Sequence, residues 1–288
     1  MTSLLFQALF YTVGVYCTLV LLGVEPFDKG ALVDSLIPLH RKAEWFLPTY
    51  LSLMLFAPLL NAFVQRTDER GLRHYLLLFF SIEFLFGFMN DQLEVKEGYS
   101  LFAFAGIYLV GCYLRLYPER LQSWRGRSFL FAYLGITLAQ SLALILYAYV
   151  TKESIMASSL TYKFLRYVSP INILASILLF LSVSRLKLQS KVVNWISAST
   201  LAVYLIHCNP YLIGRYTGFI KRLSEEHSTE VFIVLVIGFI LAVFAGSILV
   251  DKLRLLLWQR VILPLYEAGT HLWAKVGLPR IDFPEDRD

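Results

Sequence analysis

The feature that most restricts this chain is its succession of unbroken apolar runs. Each is close to the ~20 residues an α-helix needs to cross the hydrocarbon of a bilayer. The runs are Leu4–Leu22, Trp45–Val64, His74–Met89, Ser100–Leu116, Ser128–Val150, Pro170–Ser184, Ile196–Cys208 and Val231–Val250. Inside lipid every backbone N–H and C=O must be satisfied within the segment, so such runs read as helices. Only 16% of the 288 residues are charged and 57% are hydrophobic, against the roughly 25% charged of a soluble domain. The expectation is an all-α polytopic membrane bundle with about eight transmembrane helices and short interfacial helices. Residues 1–266 are expected to form a single transmembrane domain, followed by a short polar cytoplasmic tail over 267–288.

The net charge of +5 is not a nucleic-acid signal, because the basic residues sit in short loops between spans. Arg66, Arg70 and Arg73 lie between spans two and three, and Arg115, Arg120, Arg125 and Arg127 between four and five. Arg185, Lys187 and Lys191 lie between six and seven, and Lys252, Arg254 and Arg260 follow span eight. The alternate loops carry Glu25, Asp28 and Asp34, then Asp91, Glu94 and Glu97, then Glu225 and Glu226. Loops rich in Lys and Arg stay in the cytoplasm. The expected placement is therefore multi-pass in the inner (plasma) membrane with both termini cytoplasmic and the lipid bilayer as a partner. Asp34–His40, Ser154–Val168 and Lys252–Tyr266 read as pieces lying in the interface, the last mixing Arg254 and Arg260 with Leu255, Leu256, Leu257 and Trp258. Cys17, Cys112 and Cys208 are odd in number and lie in apolar segments, which argues against a disulfide framework. There is no G-x-S-x-G elbow, Gly-rich phosphate loop, H-E-x-x-H or paired C-x-x-C, and the five histidines are far apart, so no metal site is suggested.

Polar groups inside the spans carry the functional information. In Ser197–Tyr211, SASTLAVYLIHCNPY, Ser197, Thr200, Tyr204 and His207 recur at spacings of three, four and three. That spacing puts them on one stripe of a helix that Pro210 stops, the span being short enough to extend back to Val192 or, with a kink, beyond Pro210. Asn209 falls at the helix end, since the residue before a proline is pushed out of the α region. The histidine is either a satisfied packing group, one sitting in the headgroup region, or a site. Glu83, within LFFSIEFLFGF, needs a partner, a proton or water. It reads either as a neutral acid bonded to a neighbouring helix or as a substrate contact. Tyr50 and Asn61 are about three turns apart on one helix face, beside Pro48 and Pro58, which can free backbone carbonyls. Arg115 closes span four, either as a positive-inside anchor or as a contact to the phosphates of a nucleotide donor.

Four blocks in order resemble the acyltransferase-3 family, the branch of membrane enzymes that O-acylate bacterial surface polysaccharides. They are Glu44-Trp45-Phe46-Leu47 through Asn61; Gly98-Tyr99-Ser100-Leu101 through Arg115; Ser169-Pro170-Ile171-Asn172 to Phe180; and Asn194-Trp195-Ile196-Ser197 through His207 and Asn209. The resemblance implies acetyl-CoA or another acyl-CoA as co-substrate at the cytoplasmic face, with no bound cofactor. It also implies a sugar hydroxyl of a lipid-linked or cell-surface glycan as acceptor. On that reading His207 is the catalytic candidate, Tyr50, Asn61, Glu83, Tyr204 and Asn209 contact substrate, and Arg115 contacts the donor. The family's first span carries an Arg and a catalytic His; the first span here has neither. The expectation is that this chain starts where a later helix of the family runs. A non-catalytic, transport or assembly role in glycan export therefore stands as the alternative.

Overall fold

The computed structural model describes residues 2–37, 45–90, 96–121, 124–152, 154, 159–186 and 189–268. Among these the regular structure is helical: α1 (Thr2–Leu21), α2 (Lys29–Leu36), α3 (Phe46–Arg66), α4 (Glu69–Ile82), α5 (Leu101–Leu116), α6 (Gly126–Thr151), α7 (Ser159–Leu165), α8 (Pro170–Ser184), α9 (Lys191–Ser197), α10 (Thr200–His207), α11 (Pro210–Glu226) and α12 (Thr229–Leu257). A π-helical segment, Glu83–Met89, continues α4, and another, Trp258–Ile262, continues α12. Six described helices are long and apolar enough to cross a bilayer, and the bent pair Lys191–His207 plus Pro210–Glu226 makes seven if taken as one broken span. The fold is a helical membrane bundle, as the apolar runs require. Leu101–Leu116, expected to be a span, is a shorter apolar helix.

The residues group into two compact units, 1–47 with 190–288 and 48–189. In the first, α1 packs against α2 and α10, and α12 packs against α10 and α11. The Asp28 side chain caps α2 by accepting from the Ala31 N–H. The Tyr16 hydroxyl and the Thr12 hydroxyl, which donates to the Ser35 carbonyl at 2.8 Å, fasten α2 to α1. Three expectations change here. The single helix expected over 196–208 is broken at Ala198-Ser199, where the cap N–H groups bond back to Asn194 and Ile196. At Asn209-Pro210 the chain bends by 81°, the kinked continuation that this short span allows, and runs on as α11 through Glu225 and Glu226, which read from sequence as loop acids. The surface helix expected from Lys252 is instead the continuation of the last span, because nothing between Val250 and Leu257 can stop a helix. Part of the interfacial piece expected over 34–40, and the expected C-terminal tail beyond 268, fall outside the described residues.

In the second unit, Val64, Leu72 and Leu109 join α3, α4 and α5 in one apolar cluster. Asp68 starts α4 by accepting from the Gly71 N–H at 2.9 Å, and Ser100 starts α5 in the same way. Gly106 lets α5 approach α4: a Cβ there would lie 2.4 Å from the Phe79 ring, which stacks on Phe102 with centroids 4.4 Å apart. α6 runs along α8. Gly126 meets Arg185 and the Ser182 carbonyl closely enough that a Cβ would stand 3.0 Å from the Arg185 Cβ. Phe88, Ala103 and Val168 close the other end of the unit.

Candidate functional site

Along α5 and α8 of the second unit lie two successive cavities. The first, about 330 Å³, is walled by α4, α5 and α8, with Leu76, Leu77, Phe80, Val110, Ile173 and Ile177 among its apolar lining. Its polar lining is Arg73 towards one end of α4 and Glu83 ten residues on, a separation of ~15 Å at 1.5 Å per residue. Glu83 is 2% exposed and its Oε2 has no hydrogen-bond partner among the described residues. It sits where α4 becomes π-helical; such insertions are frequent at functional sites. Ser169, between the lining residues Val168 and Pro170, is fully buried, and its hydroxyl is also without a partner among the described residues.

The second cavity, about 410 Å³, is lined by Gly111, Leu114 and Arg115 of α5 and by Phe180, Ser184 and Arg185 at the end of α8. Two guanidinium groups, from the last turn of α5 and from the residue after α8, share one concavity. Arg is suited to phosphate and carboxylate by its fork of donors. The two cavities share no lining residue: one carries Arg73 and Glu83, the other Arg115 and Arg185. Of the residues singled out from sequence, Glu83 lines the first cavity and Arg115 the second. Arg185 reads from sequence only as a loop charge, because nothing local shows that it shares a cavity with Arg115.

The other expected site residues lie elsewhere. Tyr50 is on α3, 37% exposed, and Asn61, exposed on the same helix, accepts a 2.7 Å hydrogen bond from the Tyr108 hydroxyl. Tyr204 packs edge-on against Phe46 with centroids 5.4 Å apart. His207, at the exposed end of α10, stacks on Tyr216 of α11. Asn209 is fully buried; its Oδ1 accepts from the Tyr211 N–H at 3.0 Å and its Nδ2 donates to the Tyr11 carbonyl at 3.5 Å. Tyr50, Asn61, Glu83 and Arg115 thus belong to one unit and Tyr204, His207 and Asn209 to the other.

Sequence reasoning missed a second polar centre, in the first unit. Asp251 and Arg254 of α12 are 0% and 3% exposed, and the Arg254 Nε donates to Asp251 Oδ1 at 2.7 Å. The same oxygen accepts from the Tyr11 hydroxyl at 2.7 Å and from Gln7 Nε2 at 3.4 Å. Ser199, at the break between α9 and α10, is buried beside this carboxylate. Its Oγ, Asp251 Oδ2 and Arg254 Nη1 complete no hydrogen bond among the described residues. The available signal was that the apolar run does not end at Val250: Leu253 and Leu255–Leu257 extend it past both charges. Among the described residues no cluster of His, Cys, Asp and Glu could hold a metal ion.

No curated protein and no solved structure matches the chain. A family model described as the acyltransferase domain, acyltransferase-3, matches residues 2–252. With nearly the whole helical bundle inside that match, the protein belongs to the membrane acyltransferase-3 family.

Proposed function

We propose that the protein moves an acyl group from acyl-CoA to a sugar hydroxyl of a cell-surface polysaccharide. It would act in the inner membrane with both termini in the cytoplasm. Family membership supports acyl transfer, and the loop charges support the orientation, which puts Arg115 and Arg185 at the cytoplasmic side. The observation that carries the donor assignment is the cavity that Arg115 and Arg185 share with Leu114, Phe180 and Leu181. Its guanidinium groups suit the phosphates of CoA, and the apolar walls suit the arm that follows them. In the reaction the acceptor oxygen adds to the thioester carbonyl carbon and the C–S bond breaks. The sulfur keeps the electron pair, and the acceptor proton ends on the CoA thiol. The test is acyl transfer by the purified full chain in nanodiscs, with labelled acyl-CoA and cell-envelope glycan. Label reaching the glycan is the expected result, with KM for acyl-CoA raised about tenfold or more in Arg115→Ala and in Arg185→Ala, as loss of one charge-assisted contact implies. Unlabelled glycan with every donor tried would refute acyl transfer.

A second reading has its own observation. The broken path α9–α10–α11, with Ser199 and Asn209 buried at its two breaks, has the discontinuous helix found at transporter binding sites. On this reading the protein carries or assembles a glycan without catalysing transfer. Saturable binding of an acyl-CoA analogue, lost in Arg115→Ala, separates the two.

A further inference from the structure

We propose that the buried polar centre of the first unit binds one water molecule, held between Ser199 Oγ, Asp251 Oδ2 and Arg254 Nη1. The site lies outside the acyl-CoA cavity, and its occupancy requires no activity. Asp251 and Arg254 stand within a long apolar helix, where charged groups pair with one another or face water. Pairing uses only part of each group. Arg254 Nε donates to Asp251 Oδ1 at 2.7 Å, and Tyr11 and Gln7 donate to that same oxygen. Asp251 Oδ2 and Arg254 Nη1 are buried and complete no hydrogen bond among the described residues. Covalent geometry keeps these two atoms near each other, since Oδ2 shares a carbon with Oδ1 and Nη1 shares one with Nε. Ser199 supplies the third atom. It precedes α10, where a serine usually accepts from N–H groups of the first turn, yet it makes no such bond. Its side chain lies beside the Asp251 carboxylate instead, 0% exposed, with Oγ also unpartnered among the described residues.

The three atoms define what they take. A carboxylate oxygen only accepts, a guanidinium nitrogen only donates, and a hydroxyl does either. An anion would accept from Arg254 but would meet Asp251 as a like charge. A metal cation would meet the carboxylate but leave Nη1 without an acceptor and stand against the guanidinium. A neutral O–H group answers all three: it donates to Asp251 Oδ2, accepts from Arg254 Nη1 and bonds to Ser199 Oγ in either direction. The complete burial of Ser199 and Asp251 limits that group to the size of a water. Buried waters make about three hydrogen bonds, to polar groups that have no other partner, and this centre offers three such atoms. The water joins the break between α9 and α10 to α12, and through Asp251 to Tyr11 and Gln7 of α1.

Two measurements on the full chain in nanodiscs test this. The first is X-ray hydroxyl-radical footprinting, in which a bound water is split in place and oxidises the side chains around it. Tyr11, although only 2% exposed, should be oxidised at short exposure. That oxidation should be lost in the double variant Asp251→Leu with Arg254→Met, which removes two of the water's three partners and keeps the space filled. A Tyr11 that stays unmodified in the wild type, or is modified equally in both proteins, overturns the proposal. The second is a high-resolution electron cryo-microscopy map of the wild-type protein, which depends on no substitution. It should show one oxygen-sized peak about 2.7–3.2 Å from each of Ser199 Oγ, Asp251 Oδ2 and Arg254 Nη1. Direct bonds among those three atoms with no peak between them, or density too large for one water, overturn it.

Discussion

Replacing Arg254 by Met should destabilise the protein far more than removing both charges of the buried pair. Asp251 Oδ1 accepts from Arg254 Nε and the Tyr11 hydroxyl at 2.7 Å each and from Gln7 at 3.4 Å. Arg254→Met leaves a fully buried carboxylate with two neutral partners, and breaking such a pair costs about 3–5 kcal/mol. Asp251→Leu leaves a guanidinium that is 3% exposed without its counter-charge, for a similar cost. The double variant leaves no net charge, only the Tyr11 hydroxyl and the Gln7 amide without their acceptor, which costs about 1–3 kcal/mol. At about 2–4 °C per kcal/mol for large domains, each single variant should lose about 6–20 °C in Tm and the double variant about 2–12 °C. The assay is thermal unfolding of the purified protein in one detergent. A double variant that falls by the sum of the two singles would refute the argument, because additivity means the two charges do not compensate each other.

Two smaller changes test how the elements are held. Gly106→Val should push Phe79 off its stack on Phe102 and cost about 1–3 kcal/mol, the usual price of overpacking, read as a fall in Tm. A Tm unchanged within error would mean that α5 does not approach α4 as closely as 2.4 Å implies. Lys252 donates to the Trp195 carbonyl at 2.7 Å and stands 4.5 Å from its ring centroid. Lys252→Ala should therefore speed amide hydrogen exchange over Lys191–Ser197 while leaving Thr200–His207 unchanged.

The bundle was legible because bilayer thickness imposes one length on every apolar run, and local caps such as Asp68 and Ser100 sharpen where runs begin. What depended on tertiary neighbours was not. The stripe Ser197–Thr200–Tyr204–His207 assumes an uninterrupted helix. The chain breaks at Ser199, and the buried polar groups are Ser199 and Asn209 rather than Ser197 and Thr200, which are exposed. Hydrophobic periodicity cannot show that break, since Ser, Ala and Thr fit a helix interior and a turn about equally well. Lys252 and Arg254 were counted together as loop cations, yet one reaches back to α9 and the other is sealed beside Asp251. A positive-inside count cannot tell an anchor at the membrane surface from a charge paired within the bundle, because both add one cation near a span end.

The two buried carboxyls differ in what surrounds them. Asp251 has a cation three residues away on its own helix and two further donors on α1, all meeting one oxygen. Its charge is answered, and its bonds join the first helix to the last long one. Glu83 lies just as deep, and its Oε2, like Asp251 Oδ2, completes no hydrogen bond among the described residues; the difference is that Glu83 borders a cavity. Selection for stability alone would replace such an acid with Leu or Met, because an unanswered polar group in an apolar wall costs ~1–3 kcal/mol and returns nothing to folding. The cavity it lines supplies the reason to keep it: an acid on an otherwise apolar wall is placed to meet a polar group of whatever enters, which a Leu or Met there would not do.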